Sequence, residues 1–427
     1  MNILMISDVY FPRVNGVSTS IATFRRSLAT LGHSSLLIAP DYAAAADVDA
    51  GIVRIPSRYL FLDPEDRILK VKEILAQEDQ LRNRRFDLLH IQTPFIAHHA
   101  GVKLARRLGI PAVETYHTYF EEYLYHYIPF LPKPLLKSMA RMLTRRQCNH
   151  MDAVVVPSRA MHEVLQGYGV RTPVSVIPTG IDPGDLPAGS RERFCSTHGI
   201  DPSRPMLVHI GRVAYEKNIA FLLDVLHEIR RVVPDVLLVI AGEGPALVSL
   251  RRKALELGLE RNVRFLGYLK RGPALSDCYC AGDAFIFASA TETQGLVLLE
   301  AMMLGVPVVS TAVMGTRDIL ASGKGALVAV ETVSDFADKV IRLLGDPVLR
   351  ERLGNEARQY AAEWSAAVMA RRLVDFYLQV ISCRRRTMLR EPESSSASGR
   401  FAVHQCEPKD GIRIAAPDQD LGTRQGK

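Results

Sequence analysis

Short apolar runs alternate with segments of helical periodicity along most of this chain. The first run, residues 2–7, is apolar on both faces, and a turn-rich loop and a helix-spaced segment ending at Gly32 follow it. A second run at residues 35–40 completes a β-α-β unit. Strands that alternate with helices predict a parallel sheet covered by helices on both faces, which is the doubly wound α/β class.

The same pattern restarts in the second half. Residues 178–187 are rich in Pro, Gly and Asp, as linkers are, and a new apolar run at 205–210 precedes a glycine-containing loop and a predicted helix. The other predicted strands are 88–91, 111–115, 153–156, 174–177, 236–240, 263–266, 284–287 and 307–310. We predict two facing Rossmann-like domains, 1–184 and 185–365, whose ligand binds in the cleft at the carboxyl ends of the strands.

The C-terminal part of the chain divides into a helix and a tail. Apolar residues recur at helical spacing over 366–383, so we predict a helix there that returns to the first domain. The apolar positions are Met369, Leu373, Phe376, Tyr377, Val380 and Ile381. Residues 384–427 lose this periodicity and are predicted to be a disordered tail.

Composition excludes several classes of protein. With 48% hydrophobic and 23% charged residues among 427, the chain has ordinary core-forming composition, which excludes a disordered chain, a collagen and a coiled-coil rod. It contains no uninterrupted apolar run of about 18 residues and no secretory signal pattern. The six cysteines fit neither a disulfide framework nor a zinc knuckle. A cytoplasmic protein with reduced thiols is expected.

The string ETQGLVLLEAM, residues 292–302, is the most informative local motif. Glu292 follows a predicted strand, and Thr293, Gln294 and Gly295 place backbone N–H groups at the start of a helix, where an anion is stabilised. Glu300 lies about two turns further along, roughly 8–10 Å away. One ligand with a phosphate between the two carboxylates fits this spacing. The alternative is that Glu292 caps the helix and Glu300 is a solvated surface charge.

A second motif, GRVAYEKN at residues 211–218, follows the first strand of the second domain. Arg212 offers a planar two-pronged contact and Lys217 a mobile point charge, and the two together suit a diphosphate. The alternative is that Lys217 pairs with the neighbouring Glu216.

These motifs resemble those of the retaining glycosyltransferases of family 4, which have the GT-B fold. The resemblance covers about residues 1–382 and includes the strings FPRVNGVSTS, ETYHTYFEEYLYHY, VVPS and IPTGID. Within the family, NGVS and HTYFEEY are most similar to the diacylglycerol-glycosylating enzymes of the monoglucosyldiacylglycerol synthase type. Two positions depart from the pattern: Asn15 precedes Gly16 where many members carry two glycines, and Gln294 stands where Phe is frequent.

The resemblance implies roles for matching residues. Arg212 and Lys217 neutralise the diphosphate of a nucleotide sugar, Glu292 contacts sugar hydroxyls, and Glu300 contacts the ribose. Gly16 admits a close approach of donor or acceptor, and His117 faces the sugar. The implied catalytic set is Glu292, His117, Arg212 and Lys217, and the implied donor-binding set is Gly16, Arg212, Lys217, Thr293, Gln294, Gly295, Leu296 and Glu300. The resemblance implies no metal and no cofactor beyond the substrate, a UDP-sugar being favoured over a GDP-sugar, and makes the first domain the acceptor side.

The positive charge is concentrated in one segment. The chain carries 53 Lys and Arg against 46 Asp and Glu, a formal charge of +7, yet residues 123–151 contain no acid. The cations of this segment are Lys133, Lys137, Arg141, Arg145 and Arg146, and the aromatic residues beside it are Tyr119, Phe120, Tyr123, Tyr125, Tyr127 and Phe130. A basic amphipathic helix with such anchors predicts contact with an anionic membrane surface through residues 119–146. The alternative is a surface helix packed on the first domain. No pattern of nucleic-acid recognition occurs.

The expected function is retaining transfer of a hexose or hexuronic acid from a nucleotide sugar to a membrane lipid such as diacylglycerol, at the inner face of the cell membrane. The alternatives are a soluble or polysaccharide acceptor, as in a GDP-mannose-dependent mannosyltransferase, a nucleotide-sugar epimerase, and a non-catalytic nucleotide-sugar-binding or membrane scaffold protein.

Overall fold

Two parallel β-sheets form the framework of the computed structural model, which describes residues 1–42, 49–60, 63–119 and 132–390. Within these residues one sheet has seven strands and the other has six, and a two-stranded hairpin lies apart from both. Every neighbouring pair in the two large sheets is parallel. The predicted α/β architecture is confirmed.

The first sheet is built from the N-terminal part of the chain. In chain order its elements are β1 (Asn2–Ile6), α1 (Gly16–Thr30), β2 (Ser34–Pro40), β3 (Ile52–Ile55), β4 (Ser57–Leu60), β5 (Asp63–Leu69), α2 (Val71–Leu75), α3 (Glu78–Asn83), β6 (Leu88–Ile91), α4 (Ile96–Leu108), β7 (Ala112–Thr115), α5 (Lys133–Cys148), β8 (Ala153–Val156), α6 (Arg159–Gly167) and β9 (Val174–Val176). The order in the sheet is β3-β2-β1-β6-β7-β8-β9, and β4 and β5 form the antiparallel hairpin.

The second sheet follows a short 3-10 turn at Pro183–Asp185. Its elements are α7 (Arg191–His198), β10 (Met206–Ile210), a 3-10 turn (Tyr215–Lys217), α8 (Ile219–Ile229), β11 (Leu237–Ala241), α9 (Leu247–Glu256), β12 (Val263–Gly267), α10 (Pro273–Ala281), β13 (Ala284–Phe287), α11 (Leu296–Met303), β14 (Val308–Thr311), α12 (Thr316–Leu320), β15 (Ala326–Ala329), α13 (Val333–Gly345), α14 (Pro347–Ala362) and α15 (Ala366–Arg390). The order in the sheet is β12-β11-β10-β13-β14-β15.

The continuous apolar runs are strands because both of their faces are covered. In β1, Ile3 and Met5 pack in one core cluster with α1 and α15, while Leu4 and Ile6 pack in another with α4. All four side chains are fully buried. β1 and β10 lie inside their sheets, so the loops that follow them open at the carboxyl edges.

The strands predicted from apolar runs are all present, with ends shifted by a residue or so. Sequence patterns did not predict β3, the β4–β5 hairpin or β15. Each is a short run, and β3 and β15 lie at the edges of their sheets, where fewer apolar residues are needed.

The helix α15 packs against the first sheet, although it follows the second in the chain. Tyr377 is fully buried, and its hydroxyl lies 2.6 Å from Nδ1 of His90 in β6. The chain passes from the first half to the second near Ile181 and returns near Ala366. Two hydrogen bonds show that these crossings are adjacent: the Ile181 N–H donates to the Trp364 carbonyl, and the Ala366 N–H donates to the Ile181 carbonyl. The exact domain limits, 1–184, 185–365 and 366–383, remain predictions.

The tail predicted to begin at residue 384 does not begin there. α15 continues to Arg390, because residues 384–390 contain no Gly or Pro and include four arginines, which favour a helix. Pro392 follows and disfavours helix in the residue before it. The remainder of the predicted tail, 391–427, lies outside the described residues.

Among the helices of the described ranges, none combines the length and the apolar character that crossing a bilayer requires.

We predict that Tyr377→Ala lowers the free energy of unfolding by about 3–5 kcal/mol, because it leaves a cavity between α15 and the sheet. Tyr377→Phe should cost about 1–3 kcal/mol, because it leaves the buried Nδ1 of His90 without this partner. Urea unfolding followed by the fluorescence of Trp364, the only tryptophan, measures both. Leu378→Ala, at a half-exposed neighbour, is the control. A cost for Tyr377→Phe no larger than the control's contradicts the prediction.

Candidate active site

The motif 292–302 lies at the carboxyl edge of the second sheet and comprises the end of the loop after β13 and most of α11. Gly295 precedes the helix with a φ of 95°, which favours glycine. A Cβ at this position would lie 3.0 Å from Cγ2 of Thr316. The turn that starts α11 therefore requires Gly295, and it fixes the positions of Glu292 before the helix and Glu300 within it.

Glu292 forms an ion pair with Lys217, whose Nζ donates to its Oε1. Both side chains are mostly buried, with 17% and 16% exposure. Lys217 thus pairs with an acid of the other motif, and Glu292 does not cap α11, whose N-cap is Gly295. The structure thus brings the two motifs together through Glu292 and Lys217.

Arg212 lies in the same loop as Lys217. Its side chain is exposed, and no hydrogen bond or ion pair joins it to another residue within the described part of the chain. The loop is anchored by the Val213 N–H, which donates to the Glu243 carbonyl, and by close contact of Gly242 with Gly211, where a Cβ would lie 1.8 Å from the Gly211 oxygen. The Arg212 side chain, which has no ion-pair partner within the described part of the chain, thus lies on a loop whose backbone is held in place.

Glu300 is buried, so the alternative of a solvated surface charge is wrong. Arg271 donates to its Oε1, and the Tyr279 hydroxyl donates to its Oε2 at 2.8 Å. Burial raises the pKa of the Glu300 carboxyl, an effect that Arg271 and the Tyr279 hydrogen bond oppose.

Arg271 also connects Glu300 to the first domain. Its Nη1 lies 3.7 Å from Asp185, in the 3-10 turn between the domains. Asp185 in turn accepts a hydrogen bond of 2.6 Å from Arg26 of α1. Sequence reasoning missed this series of charges. The sequence feature that could have indicated these contacts is Lys270-Arg271-Gly272. It is a basic loop at the carboxyl end of β12, a position equivalent to those of the other two motifs.

The backbone at the start of α11 fits an anion. The N–H groups of Thr293, Gln294 and Gly295 donate to no residue in the described ranges, and the N–H of Leu296 is the first of the helix. The side chain of Gln294, however, faces the first domain: its Oε1 accepts from the Thr179 N–H at 2.9 Å and its Nε2 donates to the Thr179 carbonyl at 2.7 Å. Only the backbone of Gln294 is therefore available to a ligand.

Gly16 is the first residue of α1, at the carboxyl edge of the first sheet. Asn15 caps this helix, because its Oδ1 accepts from the Ser18 N–H at 2.8 Å, which explains an Asn at that position. A Cβ on Gly16 would meet no atom within 4 Å, so the space above it is open.

His117 follows β7, and its Nε2 lies 3.2 Å from Oε1 of Gln92, a residue that follows β6. Burial lowers the pKa of His117 to about 4, so the imidazole is neutral at pH 7. His98 of α4 lies nearby, with its Nδ1 3.0 Å from Oε2 of Glu114 in β7. Within the described ranges no cluster of three or more His, Cys, Asp or Glu is placed to hold a metal.

Asp8 is a further buried acid at this edge that the sequence motifs did not indicate. Its carboxylate accepts from the Thr93 hydroxyl at 2.8 Å and from the Ala97 N–H at 3.1 Å, at the start of α4. Burial raises the pKa of Asp8 to about 7. Asp8 therefore joins the loops after β1 and β6.

The basic segment forms α5, and its apolar residues lie on two faces. Leu136 and Ala140 are buried against the domain, whereas Leu135, Met139, Met142 and Leu143 are 43–59% exposed. Arg145 and Arg146 are exposed, and Arg141 lies over the ring of Tyr168 at 5.7 Å. The helix α5 therefore packs on the domain through part of its apolar surface and leaves the remaining apolar side chains exposed. The Lys133 side chain and residues 120–131, with most of the aromatic anchors, lie outside what is described.

We predict that Gln294→Glu lowers the free energy of unfolding by about 1–3 kcal/mol near pH 8, because an ionised carboxylate cannot donate to the Thr179 carbonyl. A neutral carboxyl can donate, so the folded protein holds this proton more tightly than the unfolded chain does, and the loss shrinks as the pH falls. Urea unfolding at several pH values measures this, with the exposed Gln379→Glu as control. A pH-independent loss equal to the control's contradicts the prediction.

Comparison with known proteins places this geometry in a family. Residues 14–185 match the family described as Glycosyltransferase Family 4, and residues 190–360 match Glycosyl transferases group 1. The chain is 32% identical over 392 residues to the alpha-monoglucosyldiacylglycerol synthase of Streptococcus pneumoniae, covering 89% of this chain and 86% of that enzyme. It is 26% identical to a GDP-mannose-dependent alpha-mannosyltransferase of Mycobacterium tuberculosis, covering 87% of this chain and 93% of the other.

Among solved structures, the Anabaena protein HepE in complex with UDP-glucose is similar in fold, with a TM-score of 0.68 and 17% identity over 89% of this chain and all of the other. The family matches cover both halves of the chain, and one relative is more than 30% identical to it. The two parallel sheets, with loops at their carboxyl edges, agree with these matches. The chain belongs to the family 4, group 1 glycosyltransferases, and is a retaining hexosyltransferase of the GT-B fold.

Proposed function

We propose that this glycosyltransferase moves a hexose or hexuronic acid from a UDP-sugar to a membrane lipid such as diacylglycerol, at the inner face of the cell membrane. The observation that carries the lipid part is the outer face of α5, where exposed apolar side chains lie among cations on the first domain. The similarity to the pneumococcal enzyme, named for a glucosylated diacylglycerol, supports the same acceptor.

The donor lies along the start of α11. Arg212 and Lys217 neutralise its diphosphate and stabilise the nucleoside diphosphate as it leaves, together with the N–H groups of Thr293 and Gly295. Positive charges and N–H donors at this place stabilise the negative charge that develops on the departing diphosphate.

The two carboxylates lie on either side of this anion site. Glu292 contacts the sugar hydroxyls, and Lys217, its present partner, is shared with the phosphate. Glu300 accepts from the ribose hydroxyls. Neutral His117 hydrogen-bonds to the sugar from the first domain, and the open space at Gly16 admits the donor phosphate or the acceptor.

A UDP-sugar is favoured because HepE, which is similar in fold, binds UDP-glucose. The second candidate is a GDP-mannose-dependent transferase with a soluble or polysaccharide acceptor, which the mycobacterial relative favours. Transfer assays with each nucleotide sugar, with and without diacylglycerol, separate the two.

We predict that Arg212→Ala and Lys217→Ala each weaken UDP binding about tenfold or more and leave uridine binding unchanged, because a charged hydrogen bond to phosphate contributes about 1.5–3 kcal/mol. Calorimetric titration with UDP and with uridine measures the difference. Arg231→Ala, at an exposed arginine on the same domain, is the control.

Glu292→Ala should remove sugar transfer while UDP still binds, because this carboxylate acts on the sugar. If all three site variants retained full transfer activity, the reaction would not take place at this edge, and the proposed site would be wrong. A loss of uridine binding in step with UDP binding would instead indicate a general loss of structure.

We predict that replacing Met139, Met142 and Leu143 together by Ser weakens binding to vesicles of phosphatidylcholine and phosphatidylglycerol about tenfold or more, because apolar burial and attraction to anionic lipid act together. Cosedimentation measures binding, and transfer to diacylglycerol in the same vesicles should fall in parallel. The control replaces Val248 and Leu255, which are exposed on α9, by Ser. Equal binding by the α5 variant and the control contradicts a membrane role for α5.

A further inference from the structure

Arg271 lies at the end of the donor site that is proposed to receive the ribose. It belongs to the loop between β12 and α10, and it donates to Oε1 of Glu300. The buried hydroxyl of Tyr279 donates to the other oxygen, Oε2. Both oxygens that a ribose diol needs are therefore already engaged by the protein.

The space beside Glu300 is also too small for a ribose. The cavity that Glu300 lines has a volume of about 10 Å³, and Thr19 of α1, Asp185, Arg271 and Leu296 are among the other residues that line it. A cavity of this size holds about one water molecule. Arg271 therefore has to move before a ribose reaches the carboxylate.

A second acceptor for Arg271 is already close. Asp185 lies 3.7 Å from Nη1 of Arg271, whereas Glu300 is bound by Nη2, and Arg26 of α1 holds Asp185 in place. Arg271 can exchange one carboxylate for the other by a small rotation of its guanidinium, so its charge stays paired during the exchange. The Arg271–Asp185 pair, which is already present at 3.7 Å, would then become the main ion pair of Arg271 and would strengthen its connection to the turn between the domains.

We propose that Arg271 is a positioning residue at the ribose end of the donor site. While the site is empty it forms an ion pair with Glu300. When a nucleotide binds, Arg271 releases this carboxylate to the ribose hydroxyls and pairs with Asp185 alone. The inference rests on the proposed function, in which Glu300 meets the ribose. It adds a residue that sets how readily a nucleotide enters and that connects its binding to the domain junction.

The charges around Glu300 determine how this exchange depends on pH. Arg271 faces it from the β12–α10 loop, Tyr279 from α10 and Asp185 from the turn between the domains, with Arg26 behind Asp185. Burial raises the pKa of Glu300, and Arg271 opposes that rise. Without Arg271 the pKa rises further, so the carboxyl is protonated over more of the acidic range and accepts less well from a ribose.

The test measures UDP binding by calorimetry to the full chain and to Arg271→Met and Arg271→Lys, at about pH 8.5 and about pH 6. We expect Arg271→Met to bind UDP about 3- to 10-fold more tightly at the higher pH, because the competing ion pair is gone, and to lose this gain at the lower pH. Arg271→Lys should restore the wild-type profile. With 2′,3′-dideoxy-UDP, which lacks the ribose hydroxyls, the variants should not differ.

Arg252→Met, at an exposed arginine of α9, is the matched control, and thermal unfolding verifies that each variant is folded. Weaker binding of UDP and of its dideoxy analogue by Arg271→Met at both pH values would overturn the inference, because Arg271 would then contact the nucleotide directly. Unchanged UDP affinity in a folded Arg271→Met would also overturn it. If the wild-type chain bound no UDP, the proposed donor itself would be wrong, and the inference with it.

Discussion

Two carboxylates, one just before the short helix α11 and one within it, are each neutralised by a cation from a different loop, and the candidate site depends on this arrangement. Lys217, after β10, holds Glu292, and Arg271, after β12, holds Glu300. Because Glu292, Lys217 and Glu300 are mostly buried, removing one partner of either pair leaves the other charge poorly compensated. The pairs therefore tie the loops at the carboxyl edge of the second sheet to α11, the helix whose first backbone N–H groups form the proposed donor site.

The contacts between the domains use the same elements. Gln294, at the start of α11, makes two hydrogen bonds to the backbone of Thr179, and the Arg159 N–H of α6 donates to Asp318 of α12 at 2.6 Å. Anything that displaces α11 changes the domain junction as well. A donor that binds along this helix is thus in a position to affect how the two domains meet.

Sequence patterns predicted the framework well because parallel strands covered on both faces must be apolar throughout. They also indicated that Glu292, Lys217 and Arg212 lie at one edge of the second sheet, because the carboxyl ends of parallel strands share one edge and each of these residues follows such a strand. The sequence patterns did not reveal which residues these side chains pair with. Gln294 and Thr179 are 115 positions apart in the chain, and Arg26 and Asp185 are 159 apart, so no local pattern joins them. The sequence also does not show which apolar residues of α5 are exposed, because the cations of this helix lie among the apolar residues of both of its faces.

The central proposal is that a nucleoside diphosphate lies along α11 with its diphosphate at Arg212 and Lys217 and its ribose at Glu300. A crystal structure of the full chain with UDP tests this most directly. We expect the phosphate oxygens within hydrogen-bonding distance of Arg212, Lys217 and the N–H groups of Thr293 and Gly295, the ribose hydroxyls on Glu300, and Arg271 turned to Asp185. UDP bound elsewhere, or bound along α11 with the Arg271–Glu300 ion pair intact, would contradict the account.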